Sequence, residues 1–150
     1  MFSLTSFVGG LLGASRRLSD LEKRILDRVR GGLDDRAAAL WDKQVLAINK
    51  IQRLPEGVEV NFYRMSGGRP TFDPELAFAN KTEELLVARL EIKLANVRQK
   101  LVANVWFVQG FLFSIEYEGS VSYFEEAAGM ADAEVLQIDC ELKADLAVAT

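Results

Sequence analysis

Residues 100–119 read KLVANVWFVQGFLFSIEYEG, and the way this stretch pairs decides the fold class. Apolar and polar side chains alternate on both sides of Gly110, the pattern of two strands joined by a tight turn. A two-residue loop at Gln109-Gly110 would set Asn104 opposite Ile115 and Ala103 opposite Glu116, mixing polar and apolar groups on both faces. A three-residue loop from Val108 to Gly110 puts glycine at the left-handed position of a G1-bulge turn. It pairs Phe107 with Phe111, Val105 with Phe113, Ala103 with Ile115 and Leu101 with Tyr117. One face is then wholly apolar, while the other carries Trp106 opposite Leu112, Asn104 opposite Ser114 and Val102 opposite Glu116. A one-residue slip moves a whole hydrophobic set to the wrong side, so the segregated register is expected.

Upstream of the hairpin the hydrophobic period is helical. Ser19 with Glu22 forms a capping box, Leu21, Ile25 and Val29 make a stripe, and Gly31-Gly32 ends the helix. A second helix is expected from about Asp34 to Arg53, with Ala37, Trp41, Val45 and Ile48 facing the core and Pro55 stopping it. Val58, Val60 and Phe62 then alternate with Glu59, Asn61 and Tyr63, a strand that ends at Gly67-Gly68. Asp73-Pro74-Glu75 starts one short helix. Residues 82–99 have helical composition, but Ala88, Leu90, Ile92 and Leu94 alternate with Val87, Arg89, Glu91 and Lys93, which predicts a strand. A last strand is expected near Val135–Leu142. The fold class is therefore α+β: N-terminal helices on one face of a mostly antiparallel sheet of four to five strands.

At 150 residues the chain is read as a single domain with room for a sizeable core. Residues 1–18 form a terminal arm or a docked helix in this reading. A net charge of −4 argues against nucleic-acid binding, and the single Cys140 leaves no internal disulfide, which suits a cytoplasmic setting. No transmembrane segment is expected. The arginines at 16 and 17 follow the apolar N-terminal run, the reverse of a secretory signal, although Phe2, Phe7, Leu11 and Leu12 could give residues 2–12 a peripheral membrane contact.

The chain has no histidine, which removes the usual general base, the nucleophile pairs built on it and the commonest zinc ligand. Cys140 lies between Asp139 and Glu141, a setting that disfavours a thiolate. Ser66-Gly67-Gly68-Arg69 has neither P-loop nor dinucleotide-fingerprint spacing. No catalytic residue, metal ligand or cofactor site is assigned.

Charge is distributed unevenly. Residues 1–115 hold 17 Lys and Arg against 13 Asp and Glu, whereas residues 116–150 hold one lysine against nine acids. Such a segment can attract a basic partner, or it can pack beside the helix bearing Lys23, Arg24, Arg28 and Arg30. The leading expectation is a non-enzymatic protein-interaction or regulatory domain, for instance a bacterial toxin-immunity type of binder with a basic protein partner. Its candidate partner-binding residues are Trp106, Leu112, Glu125, Glu126, Asp132 and Glu134. The alternatives are a small-molecule or lipid-binding domain, with a pocket between helices and sheet near Phe113 and Ile115, and a carboxylate or metal-dependent enzyme.

Overall fold

The computed structural model describes residues 14–15, 17–95, 97–130 and 136–148. Helices α1 (Asp20–Arg30), α2 (Asp35–Ala47) and α3 (Ser122–Ala128) accompany strands β1 (Ala14–Ser15), β2 (Lys50–Arg53), β3 (Glu59–Tyr63), β4 (Met65–Ser66), β5 (Arg69–Pro70), β6 (Leu85–Leu94), β7 (Lys100–Val108), β8 (Phe111–Glu118) and β9 (Leu136–Leu142). Seven strands form one sheet in the order β1-β2-β3-β8-β7-β6-β9, with every pairing antiparallel. The small β4–β5 hairpin stands apart from it. This is the expected α+β class with more strands than the four to five anticipated. Among the described residues no helix is long and apolar enough to cross a membrane.

The sheet is wider because the second helix is shorter than its composition suggests. At Ile48 the backbone turns extended (φ −62°, ψ 122°), and Lys50–Arg53 pairs with Val60–Tyr63 instead of continuing the helix. Asn49 fixes the exit: its Oδ1 accepts from the Met65 amide at 2.7 Å and its Nδ2 donates to the Met65 carbonyl at 2.9 Å. The helical signal at 48–53 is thus overridden by pairing with residues distant in sequence. Residues 85–94 form the expected strand, with a bulge between Leu86 and Ala88. The Asn80 Oδ1 accepts from the Thr82 amide in the turn that precedes this strand.

The hairpin departs from its expected register. The turn uses two residues, Gln109 (φ 50°) and Gly110 (φ 90°), both left-handed as a type I′ turn requires. Phe107 pairs with Leu112, Trp106 with Ser114, Val105 with Ile115, Asn104 with Glu116 and Ala103 with Tyr117. The extra residue sits in β8 as a bulge at Phe113 rather than in the turn. Beyond the bulge the observed register differs from the expected one by two places, so every face is preserved there. At the bulge it is not: Leu112 points into the core and is fully buried, the reverse of the outward position expected for it.

One cluster fills the space between helices and sheet. Leu21, Ile25, Val29 and Trp41 meet Ile51, Val60, Phe62, Leu90, Ile92, Leu101, Val105, Phe107, Leu112 and Ile115. Trp41 stacks on Phe107 with centroids 5.9 Å apart. Gln44, fully buried on α2, locks this layer to the hairpin. Its Nε2 donates to the carbonyls of Leu76 (2.6 Å) and Gly110 (2.9 Å), and its Oε1 accepts from the Leu112 amide (2.9 Å). The Gln44 carbonyl, in the last turn of α2, accepts from Nε and Nη2 of the buried Arg64, whose Nη1 donates to the Leu112 carbonyl. A side chain at Gly110 could not be accommodated, because a Cβ there would lie 2.9 Å from the Phe78 carbonyl.

Gln44→Ala strands the Leu76 carbonyl and the Leu112 amide and leaves the Gly110 carbonyl with the Phe78 amide alone, and is expected to cost about 3 kcal/mol. Chemical denaturation checks this, with the exposed Gln137→Ala changing stability by less than about 0.5 kcal/mol as the control.

Candidate functional site: the open face of the sheet

The strands alternate, so the residues between those of the core emerge on the opposite face. There Trp106 is half-buried and none of the described helices lies over it, since its neighbours Val105 and Phe107 are the ones that join the core cluster, although Val102, Asn104 and Ser114 on the same face are buried. Asn104, Ser114 and Glu116 surround it as the sequence suggests. The Trp106 indole Nε1 donates to Glu116 Oε1 at 3.3 Å, and Asn104 Nδ2 donates to Glu118 Oε2 at 2.8 Å. Because of the bulge, Phe113 also reaches this face, where it meets Tyr63 edge-on at 5.5 Å. Lys50 lies 5.7 Å from the centre of the Tyr63 ring.

β3 completes the site. It pairs with β8 so that Glu59 lies opposite Glu116 and Asn61 opposite Ser114. Three carboxylates, Glu59, Glu116 and Glu118, therefore share one end of the face. None of the described salt bridges includes any of them. Sequence reading placed Glu116 beside Trp106 but missed Glu59 and Asn61. Their contribution depends on β3 joining β8, which no local pattern signals.

The C-terminal acids divide differently. Glu125 is half-buried and faces inward, next to the pair formed by Glu22 and Arg53 (2.7 and 2.9 Å). Burial pushes its carboxyl above the usual range; the Ser19 hydroxyl opposes this, Glu22 adds to it, and Arg53 and the Leu21 amide oppose it. Tyr117 faces the same cluster, its phenol pushed strongly upward by burial and then by Glu22 and Glu125, with no hydrogen-bond partner for its hydroxyl. Glu125 thus takes part in the packing around Glu22 and Arg53. Glu126 is exposed, while Asp132 and Glu134 lie outside the described residues, as do residues 2–12.

The basic helix is partly engaged by the acidic segment, through backbone carbonyls. Arg24 Nη2 donates to the Leu136 carbonyl at 3.4 Å and Arg28 Nε to the Ile138 carbonyl at 3.1 Å, both on β9, whereas Arg30 pairs with Asp42 on α2. Cys140, half-buried on β9, has its thiol pushed up by burial, with Arg28 opposing.

The two residues expected to line a pocket between helices and sheet lie on opposite sides of the sheet. Ile115 is fully buried in the core and Phe113 lies on the other side of the sheet. Among the described residues, surface clefts of about 240, 300 and 520 Å³ are lined by residues of the β6–β7 turn, of the α1–α2 groove and of the α2–Pro74 junction. Among the described residues no group of three or more Cys, Asp or Glu side chains could hold a metal ion.

These features define an α+β domain with one sheet face sealed by helices and the other presenting an aromatic centre with an acidic end. No family model matches the chain, and neither a curated protein nor a solved structure is similar to it.

Glu125 titrates higher in the folded protein than its ordinary value of 4.5. Its proton is therefore bound more tightly in the folded state, and the stability this contributes is complete below pH 4.5 and lost as pH rises through the folded value. Glu125→Gln is expected to melt above the unmodified protein at pH 7 and level with it near pH 4.5, a difference read by thermal denaturation at the two pH values.

Proposed function

We propose that this chain is a non-enzymatic, cytoplasmic binding module that presents the open face of its sheet to a basic protein partner. The supporting observation is the position of Trp106: half-buried on a face that no described helix lies over, beside carboxylates that none of the described salt bridges includes. Aromatic anchors ringed by polar groups are where binding energy concentrates, and uncompensated charge of one sign steers a partner of the other. Covering the basic site of a nuclease-like toxin, as an immunity protein does, is one concrete form of this activity.

A fluorescein-labelled oligo-lysine peptide serves as a stand-in for the partner, followed by fluorescence anisotropy. Reversing Glu116 and Glu118 to lysine should abolish binding, while reversing Glu126 and Glu75, an equal change in net charge made elsewhere, should leave most of it. Trp106→Ala should weaken binding by about 2 kcal/mol without altering the far-ultraviolet circular dichroism. Equal losses from both charge-reversed pairs would reduce the effect to net charge alone and end this reading.

A further inference from the structure

We propose that α3 is a proton-controlled latch, seated on the start of α1 while Glu125 carries a proton and released when Glu125 ionises. The latch is independent of the open face of the sheet and lies on the side that the helices cover.

The helix is weakly built on its own. It has seven residues, and its N-cap, Val121, has no side chain that bonds to the first amides. Its last turn holds no cation to meet the helix dipole. Asp20 of α1 stands at that end, its Oδ2 3.4 Å from where a Cβ on Gly129 would lie. Ahead of the helix, Gly119 has φ 118°, a conformation that glycine adopts at little cost and a ready pivot.

Docking is what holds α3 in place. Phe124, Ala127 and Ala128 are buried, and the helix touches α1, β6 and β9. A helix this short takes its stability from such packing. Glu125 is set into the contact, half-buried, where its carboxyl meets the Ser19 hydroxyl and the Leu21 amide at the start of α1. Titratable groups face it from three elements: Glu22 on α1, Arg53 on β2 and Tyr117 on β8. Of the described groups on β6 and β9, none alters its titration. Glu22 already has both carboxylate oxygens on Arg53, at 2.7 and 2.9 Å. An ionised Glu125 therefore adds a second anion beside a cation that is engaged.

Tyr117 supplies a second, independent observation. It is 8% exposed, and its hydroxyl has no hydrogen-bond partner. A buried hydroxyl in this state is disfavoured, and its surroundings improve when α3 lifts and water reaches it. Burial raises the Glu125 carboxyl above its ordinary 4.5, so the seated helix holds the proton more tightly than the released one. Seating is thus fully favoured below pH 4.5 and weakens as pH rises through the seated value.

Backbone hydrogen exchange of the whole chain, followed by nuclear magnetic resonance near pH 5 and near pH 8 and corrected for the intrinsic rate, tests this. The reporters are the Glu125 amide, bonded to the Val121 carbonyl, and the Gly129 amide, bonded to the carbonyls of Glu125 and Glu126. The reference is the Ala38 amide of α2, bonded to the Asp34 carbonyl. Protection of α3 should fall severalfold from the lower pH to the higher while that of Ala38 holds. Glu125→Gln, which keeps the shape and cannot ionise, should retain its protection at the higher pH. Tyr117→Phe should raise protection at both pH values and leave the pH dependence in place. Protection of α3 that ignores pH, a Glu125→Gln variant that follows the unmodified protein, or an equal fall at Ala38, the sign of whole-domain opening, would each overturn the latch.

Discussion

The fold depends on one buried amide. Gln44 sits where α2, the hairpin turn and the Pro74–Leu76 turn meet, and its side chain joins the helix to backbone groups of Leu76, Gly110 and Leu112. These backbone groups are withdrawn from water by the surrounding core, so each requires a partner inside the protein. Arg64 extends the same network without a carboxylate. Its charge is spread over the Gln44 and Leu112 carbonyls and rests 5.6 Å from the Phe111 ring, and burial lowers its pKa to about 10. Helix, turn and strand are thereby fixed in one relative position, and that position leaves the far side of the sheet clear of α1–α3.

A second polar contact holds the opposite end of the helical layer. The Glu22 side chain accepts from the Ser19 amide in the capping box and also receives the Arg53 guanidinium in two parallel bonds, so the start of α1 is joined to the end of β2. Glu125 approaches the same arginine. Part of the acidic C-terminal segment is used in this way to pack the domain. Glu59, Glu116 and Glu118 lie on the other face, and none of the described salt bridges includes them. Charge that looks like one block in sequence is therefore divided between a structural and an exposed role.

How much was legible beforehand follows from the range of each interaction. The capping box at Ser19 and the caps at Asp34 and Asp73 are satisfied within a few residues, and their signals are plain in the sequence. The sidedness of the hairpin was also legible, because an alternating pattern keeps its faces when the register shifts by two. Leu112 was not, since a bulge one residue away reverses its direction. β2 was hidden within helix-like composition because its pairing partners, Val60–Tyr63 and Ala14–Ser15, are supplied by other segments. α3 carries little periodic signal in its seven residues. Gln44 and Arg64 resemble ordinary surface residues of a helix and a loop. Of the candidate site, Trp106 with its neighbours Asn104, Ser114 and Glu116 was visible. Asn61 and Glu59 became part of it only through the β3–β8 pairing.

The arginines along β9 carry a consequence for how the molecule meets others. An outer strand normally offers a row of unsatisfied backbone groups on which another chain can lay down a further strand. Here the carbonyls of Leu136 and Ile138 already hold guanidinium groups from α1. A visiting strand would have to expel two cations before forming its first ladder bonds. Strand exchange and fibril-like stacking are discouraged along this border, and encounters are directed from the rim of the sheet to its broad surface.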